Sequence, residues 1–204
     1  VEIVPVQDIR QVTISWPIVY KSKQDRIAAK LSKPTNYVAH LLGHEGPRSL
    51  LSYLKRQGWA TSLASATEEN LSDFESFEVA VGLTTDGLDA VDDVVEAVYS
   101  YISLIRDRSI PDYVLEDVLK LDELYWRFLS KGSASKYASN LATNMQIYPP
   151  ELYVAGPRRL ALEEYDSPSS PLTSAPRSGY APGQLDRTRN LMKEVANLLT
   201  VDNA

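Results

Sequence analysis

Apolar and polar residues alternate over residues 9–16, with Ile9, Val12, Ile14 and Trp16 on the apolar side. This period of two predicts a strand, which Pro17 is expected to stop. Residues 20–33 are polar and basic and read as a solvated connection or a poorly formed helix. Val38, Leu41 and Leu42 then predict a helix over 35–44. Pro47 suits the first turn of a second helix, carried through Leu50, Leu51 and Leu54 to Gln57, with Gly58 as its stop.

Residues 59–67 are small and only mildly alternating, whereas 74–83 alternate clearly through Phe77, Val79 and Val81. Together they predict a hairpin whose first strand is the more exposed partner. Thr84 or Thr85 caps a long helix, with Asp86, Asp89, Asp92 and Asp93 early and Arg106 and Arg108 at its end, as the helix dipole favours. Leu88, Val91, Val94, Val95, Val98, Ile102 and Ile105 keep helical spacing along it. Helices follow over 111–129 and 133–146, then a short one from Pro149 toward Gly156, a short turn over 160–165, and a last amphipathic helix over 185–199.

Strands near the start and helices massed afterwards predict an α+β fold, an antiparallel sheet with helices packed on one face. Three strands are fewer than such a sheet normally has. The remainder are expected outside this chain, and residues 199–204 read as the lead-in to a last, truncated strand. Residues 167–183 are rich in Pro and Ser and poor in apolar residues, which predicts a flexible insertion. The expected organisation is a core over 1–166, the insertion at 167–183, and a C-terminal helix of the same domain at 184–204. A chain that begins with Val is expected to be an excised piece of something longer.

Composition narrows the chemistry. The 204 residues carry 21 Lys and Arg against 27 Asp and Glu, a net charge of −6, which argues against a general electrostatic hold on nucleic acid. There is no cysteine, so thiol chemistry, Cys-based zinc sites and iron–sulfur clusters are excluded. No run approaches the roughly 18 apolar residues of a membrane helix, and the first residues lack a signal-peptide layout. No membrane partner is expected, and the expected compartment is cytoplasmic.

Both histidines fall in the segment HLLGHEGP at 40–47, at positions i and i+4. On a helix that spacing suits zinc, but a hydrolytic site needs a third ligand and a base, and Gly43 stands where the Glu of an H-x-x-E-H motif would be. The plainer reading is a structural pair that packs and caps a helix end. Gly43 and Gly46 allow a close backbone approach beside the Glu45 carboxylate, a plausible seat for a peptide's free α-amino group. Turn geometry alone would also account for the glycines. Tyr125, Trp126 and Phe128 read as core or domain-contact residues.

Three segments carry a resemblance: DIRQVTISWPI at 8–18, HLLGHEGPRSLLSYLKRQGWATSL at 40–63, and LTTDGLDAVDDVVEAVYSYISLIR at 83–106. It continues through Tyr125, Trp126, Arg127 and Phe128 and through YPPELYVAGPRRLALEEYD at 148–166. In order and spacing they resemble the second domain of the insulysin and pitrilysin branch of the inverted-motif zinc metallopeptidases. The resemblance implies a non-catalytic domain of a zinc endopeptidase of four homologous α+β domains that enclose a chamber. Zinc would then sit in the first domain, on an H-x-x-E-H helix that this chain lacks, so no cofactor is expected here. HLLGHE would be the degenerate counterpart of that helix.

The resemblance also implies an exosite for peptide substrates. His40, Gly43 and Glu45 match its helix and turn, with Glu45 facing the α-ammonium, while Leu63 and Ser65 match the edge strand that pairs with substrate backbone. The other domains of the same polypeptide would be the remaining partners. Two departures stand out: Ser65 and Ala66 replace a Gly pair, and Asn36 replaces a His four residues before His40. Side chains at 65 and 66 are expected to narrow the approach to the strand.

Overall fold

The computed structural model describes residues 1–3, 8–68, 74–108, 112–157 and 184–204. The segments 160–165 and 167–183, expected as a turn and an insertion, lie outside the described residues. The chain divides into two compact units. One comprises Val1–Val19, Thr35–Ser109 and Met192–Ala204; the other comprises Tyr20–Pro34 and Ile110–Leu191.

The first unit is built on three strands, β1 (Gln11–Val19), β2 (Ala60–Glu68) and β3 (Phe74–Leu83), in the order β1-β3-β2 with both pairings antiparallel. Trp16 lies opposite Phe77 in one pairing, and Leu63 opposite Val81 in the other. In β3 every second residue is buried, from Glu75 through Phe77, Val79 and Val81 to Leu83. Ile14, Trp16 and Ile18 bury the matching face of β1. One face of the sheet is therefore core and the other open, as the alternation predicts. β1 does not stop at Pro17 but runs through it to Val19, because an edge strand can spare one N–H.

On the buried face lie α2 (Pro34–Leu42), α3 (Leu50–Gln57), a one-turn α4 (Thr85–Asp89) and α5 (Val91–Asp107). Tyr37, Val38, Leu42, Leu50, Leu51, Leu54, Val94, Val98 and Ile102 supply their core contribution. α3 begins at Leu50 rather than Pro47, since Ser49 is its N-cap and accepts from Ser52 N–H at 3.1 Å. Gly58, at φ 78°, ends it in the left-handed region. The helix expected from Thr84 onward is two helices. Thr84 caps α4 by accepting from Gly87 N–H at 2.9 Å, and the chain leaves helical geometry at Ala90 (φ −113°, ψ 32°). Leu88, expected in the core, is consequently 52% exposed.

In the second unit, residues 23–32 form a regular helix, α1 (Lys23–Ser32), instead of a loose connection. Ser22 caps it and Lys33 closes it at φ 44°. α6 (Asp112–Arg127) and α7 (Ala134–Ile147) follow, and Leu31, Tyr148 and Leu152 form a small buried cluster. Lys33 Nζ donates to Pro157 O at 3.0 Å and stands 3.8 Å from Asp122 Oδ2. Burial pushes the Asp122 carboxyl above its ordinary range, only partly offset by the Lys33 charge. Tyr125 and Phe128 are 72% and 75% exposed, which removes the core as their role. α8 (Gln184–Leu198) supplies Met192, Val195 and Ala196 to the core of the first unit, followed there by Leu199. Thr200 O accepts from the indole N–H of buried Trp16 at 3.0 Å.

The candidate peptide-anchoring edge

β2 lies at the edge of the sheet, paired only with β3 among the described residues. In an antiparallel pair alternate residues direct both backbone groups outward, so its free side carries a row of donors and acceptors. Leu63 is the anchor of this strand: its side chain is buried under the helices while its backbone stays on the edge. Ser65 lies on the same face, two residues on, and is half-buried. Ala64 and Ala66 alternate to the open face and are exposed.

The C-terminus of α2 stands against this edge. Ala39 O accepts from Gly43 N–H at 2.8 Å, closing the last turn, and also from the Ser65 hydroxyl at 2.6 Å. A Cβ on Gly43 would lie 3.1 Å from Ala39 O and 3.1 Å from Ser65 Oγ, tighter than ordinary contact, so glycine suits the close approach of turn and strand. The side chain at position 65 thus fills the gap toward α2, whereas the one at 66 projects from the opposite face.

His40 and His44 are exposed, with ring centroids 6.5 Å apart and planes at 72°. His44 belongs to the turn after the helix, and its Nδ1 accepts from Gly46 N–H at 3.1 Å. Its ring lies so close over Gly46 that a Cβ there would collide with it. Glu45, between them, is exposed and makes no ion pair or hydrogen bond among the described residues. His40 thus lies on α2, Gly43 and Glu45 on the turn after it, and Leu63 and Ser65 on β2, with Ser65 and Gly43 the positions where turn and strand meet.

This donor set does not fit zinc. His44 Nδ1 is committed to the turn, Gly43 supplies no carboxylate, and no three His, Asp or Glu side chains converge among the described residues as a metal would require. What the turn offers is one exposed carboxylate, Glu45, with no ion pair or hydrogen bond among the described residues. Two features of it escaped the sequence: the Ser65 bond to Ala39 O, and the positive φ of 69° at Arg48, which reverses the chain into α3. A Ser in a strand carries no sign of a partner 26 residues earlier.

Residues 1–121 match the family described as the peptidase M16 inactive domain. The chain belongs to that family. The M16 inactive domain here is 35% identical over 157 residues to an insulin-degrading enzyme of Drosophila melanogaster, covering 77% of this chain and 15% of that protein. It is 33% identical over 155 residues to a nardilysin-like protein of Arabidopsis thaliana, covering 74% and 15%. The crystal structure of pitrilysin superposes with a TM-score of 0.76 at 20% identity, over 98% of this chain and 18% of that one, so the fold is shared. This M16 domain spans about 15% of the length of the curated relatives it matches. No helix among its described residues is long and apolar enough to cross a membrane.

Proposed function

We propose that this chain is the non-catalytic second domain of an insulysin-like zinc metalloendopeptidase, forming part of its chamber wall and anchoring peptide substrates by the N-terminus. The observation that carries this reading is the Glu45 carboxylate, free among the described residues, on the turn after α2, a helix bonded from Ala39 O to Ser65 of a strand edge that has no further partner among the described residues. A substrate's α-ammonium pairs with Glu45, and its first residues extend along β2 as an added strand. Main-chain hydrogen bonds are indifferent to side chains, so the edge serves many sequences. Zinc belongs to another domain of the parent protein, where hydrolysis takes place; the residues of this chain bind and orient.

Calorimetry with the isolated chain tests the anchor. A free-amine peptide is expected to bind about two- to fivefold more tightly than its N-acetylated form, the range of an exposed ion pair. Glu45→Gln abolishes the difference. Equal affinities for the two peptides in the unmodified protein would overturn the anchoring role and favour a purely structural module.

A further inference from the structure

Two bonds fix which way the backbone groups of β3 point. Leu83 N–H donates to Arg10 O at 2.8 Å on the β1 side, and Thr84 N–H donates to Trp59 O at 3.0 Å on the β2 side. Direction alternates along a strand, so Gly82, Ala80 and Glu78 bond toward β2, and their partners Ser62, Ala64 and Ala66 bond inward. Leu63, Ser65 and Thr67 are left to direct their N–H and C=O groups along the free edge. A strand added there pairs with those three residues, and the residue it sets opposite Ala66 carries its side chain on the open face of the sheet.

Across the sheet from Ala66 stands Glu78, and beyond it Ser15, in one row. Glu78 is half-buried, and its Oε1 accepts from the Ser15 hydroxyl at 3.1 Å and from the Ser76 hydroxyl at 3.2 Å. The carboxylate is thus held over the central strand, with no cation beside it among the described residues. Glu is disfavoured in strands unless an opposite charge on a neighbouring strand offsets it, and β1, β2 and β3 contain no Lys or Arg. Between Glu78 and the free edge stands only the methyl group of Ala66, so the way across is clear. Two strand spacings separate Glu78 from a strand added to β2, about 9.6 Å at ~4.8 Å each, which an extended Arg or Lys and a Glu close between them.

We propose that Glu78 is a specificity-determining residue for the peptide bound along β2, selecting an Arg or Lys at the residue that pairs with Ala66. This rests on the reading of β2 as the peptide-binding edge and adds a preference that main-chain bonds cannot supply. The guanidinium or ammonium group crosses over Ala66 to the Glu78 carboxylate, which the two serine hydroxyls already hold in place. The residues before and after it in the peptide face the helices and are not read by Glu78. Glu68, two residues along β2 from Ala66, is the other charged residue of the open face, so the test separates the two carboxylates.

The probes are free-amine, C-terminally amidated octapeptides of Thr: one without a charged side chain, and a series with a single Arg moved through successive interior positions. Each is titrated into the full 204-residue chain and read by NMR at the β2 amides. Every member of the Arg series has the same charge, so general attraction to an acidic protein acts on all alike. One Arg position is expected to bind about two- to fivefold more tightly than the positions on either side of it, as an exposed ion pair allows. Glu78→Gln levels the series. In Glu78→Lys the peptide with Glu at that position becomes the tightest binder, a gain that misfolding cannot imitate. If the uncharged peptide shifts the β2 amides but the Arg series is level, or its preference survives Glu78→Gln and is lost in Glu68→Gln, the proposal is overturned while the edge keeps its role. No saturable shift at β2 from any peptide would overturn both.

Discussion

Ser65 Oγ lies 2.6 Å from Ala39 O, and this one hydroxyl ties the free-edged strand to the last turn of α2. The same oxygen would stand 3.1 Å from a Cβ on Gly43, so the two positions are coupled. Ser65→Ala is expected to cost about 1 kcal/mol, the net worth of a hydrogen bond. Gly43→Ala alone crowds the hydroxyl, and in a Ser65→Gly background it becomes milder. A double-mutant cycle by urea denaturation measures the coupling, and strict additivity would contradict this contact.

Gly87 is buried with its Cα against the Trp59 backbone, where a Cβ would collide with the carbonyl. Backbone cannot swing aside as a flexible side chain can. Gly87→Ala is therefore expected to destabilise by about 1–3 kcal/mol despite the higher helix propensity of alanine. Thermal unfolding checks it; an unchanged or raised Tm would contradict the close approach.

Trp16 is fully buried, meets Tyr99 edge-on at 5.9 Å, and donates to Thr200 O. Trp16→Phe keeps an aromatic ring but leaves a void and an unpaired carbonyl. A loss of about 2–3 kcal/mol is expected, with earlier protection loss at residues 192–204 in hydrogen exchange.

The Asp122 carboxyl titrates above its ordinary value of 3.8 because burial outweighs the attraction of Lys33. A raised folded-state pKa means that its contribution to stability is fully present below 3.8 and is lost as pH rises through the folded value. Asp122→Asn removes that dependence. The Tm of the variant relative to the parent protein is expected to rise from strongly acidic to neutral pH, and a falling difference would reverse the assigned cause.

The strands were legible because burial on one face imposes a period of two, and residues 74–83 keep it without a break. α1 was not, since Ile27 and Leu31 are almost its whole apolar stripe and its cap, Ser22 bonded to Asp25 N–H, looks like any polar pair. The break at Ala90 was hidden for another reason. Helical spacing runs through it, and the close approach of Gly87, three residues earlier, to the backbone of Trp59, distant in sequence, leaves no mark in that spacing. At the candidate site the composition of the turn was readable. The bond from Ser65 was not, because it joins segments that only the folded chain brings together.

The bond from Trp16 to Thr200 spans 184 residues, and the unit that contains it is assembled from three separated stretches of chain. Contacts of such long separation form late, because loop closure must precede any reward from packing. During synthesis, β1 would leave the ribosome long before the residues that seal its tryptophan. The sheet must then wait with that side uncovered, while the intervening unit has all its residues available first. Nascent chains stalled before residue 192 are thus the stage at which a chaperone would find most to hold.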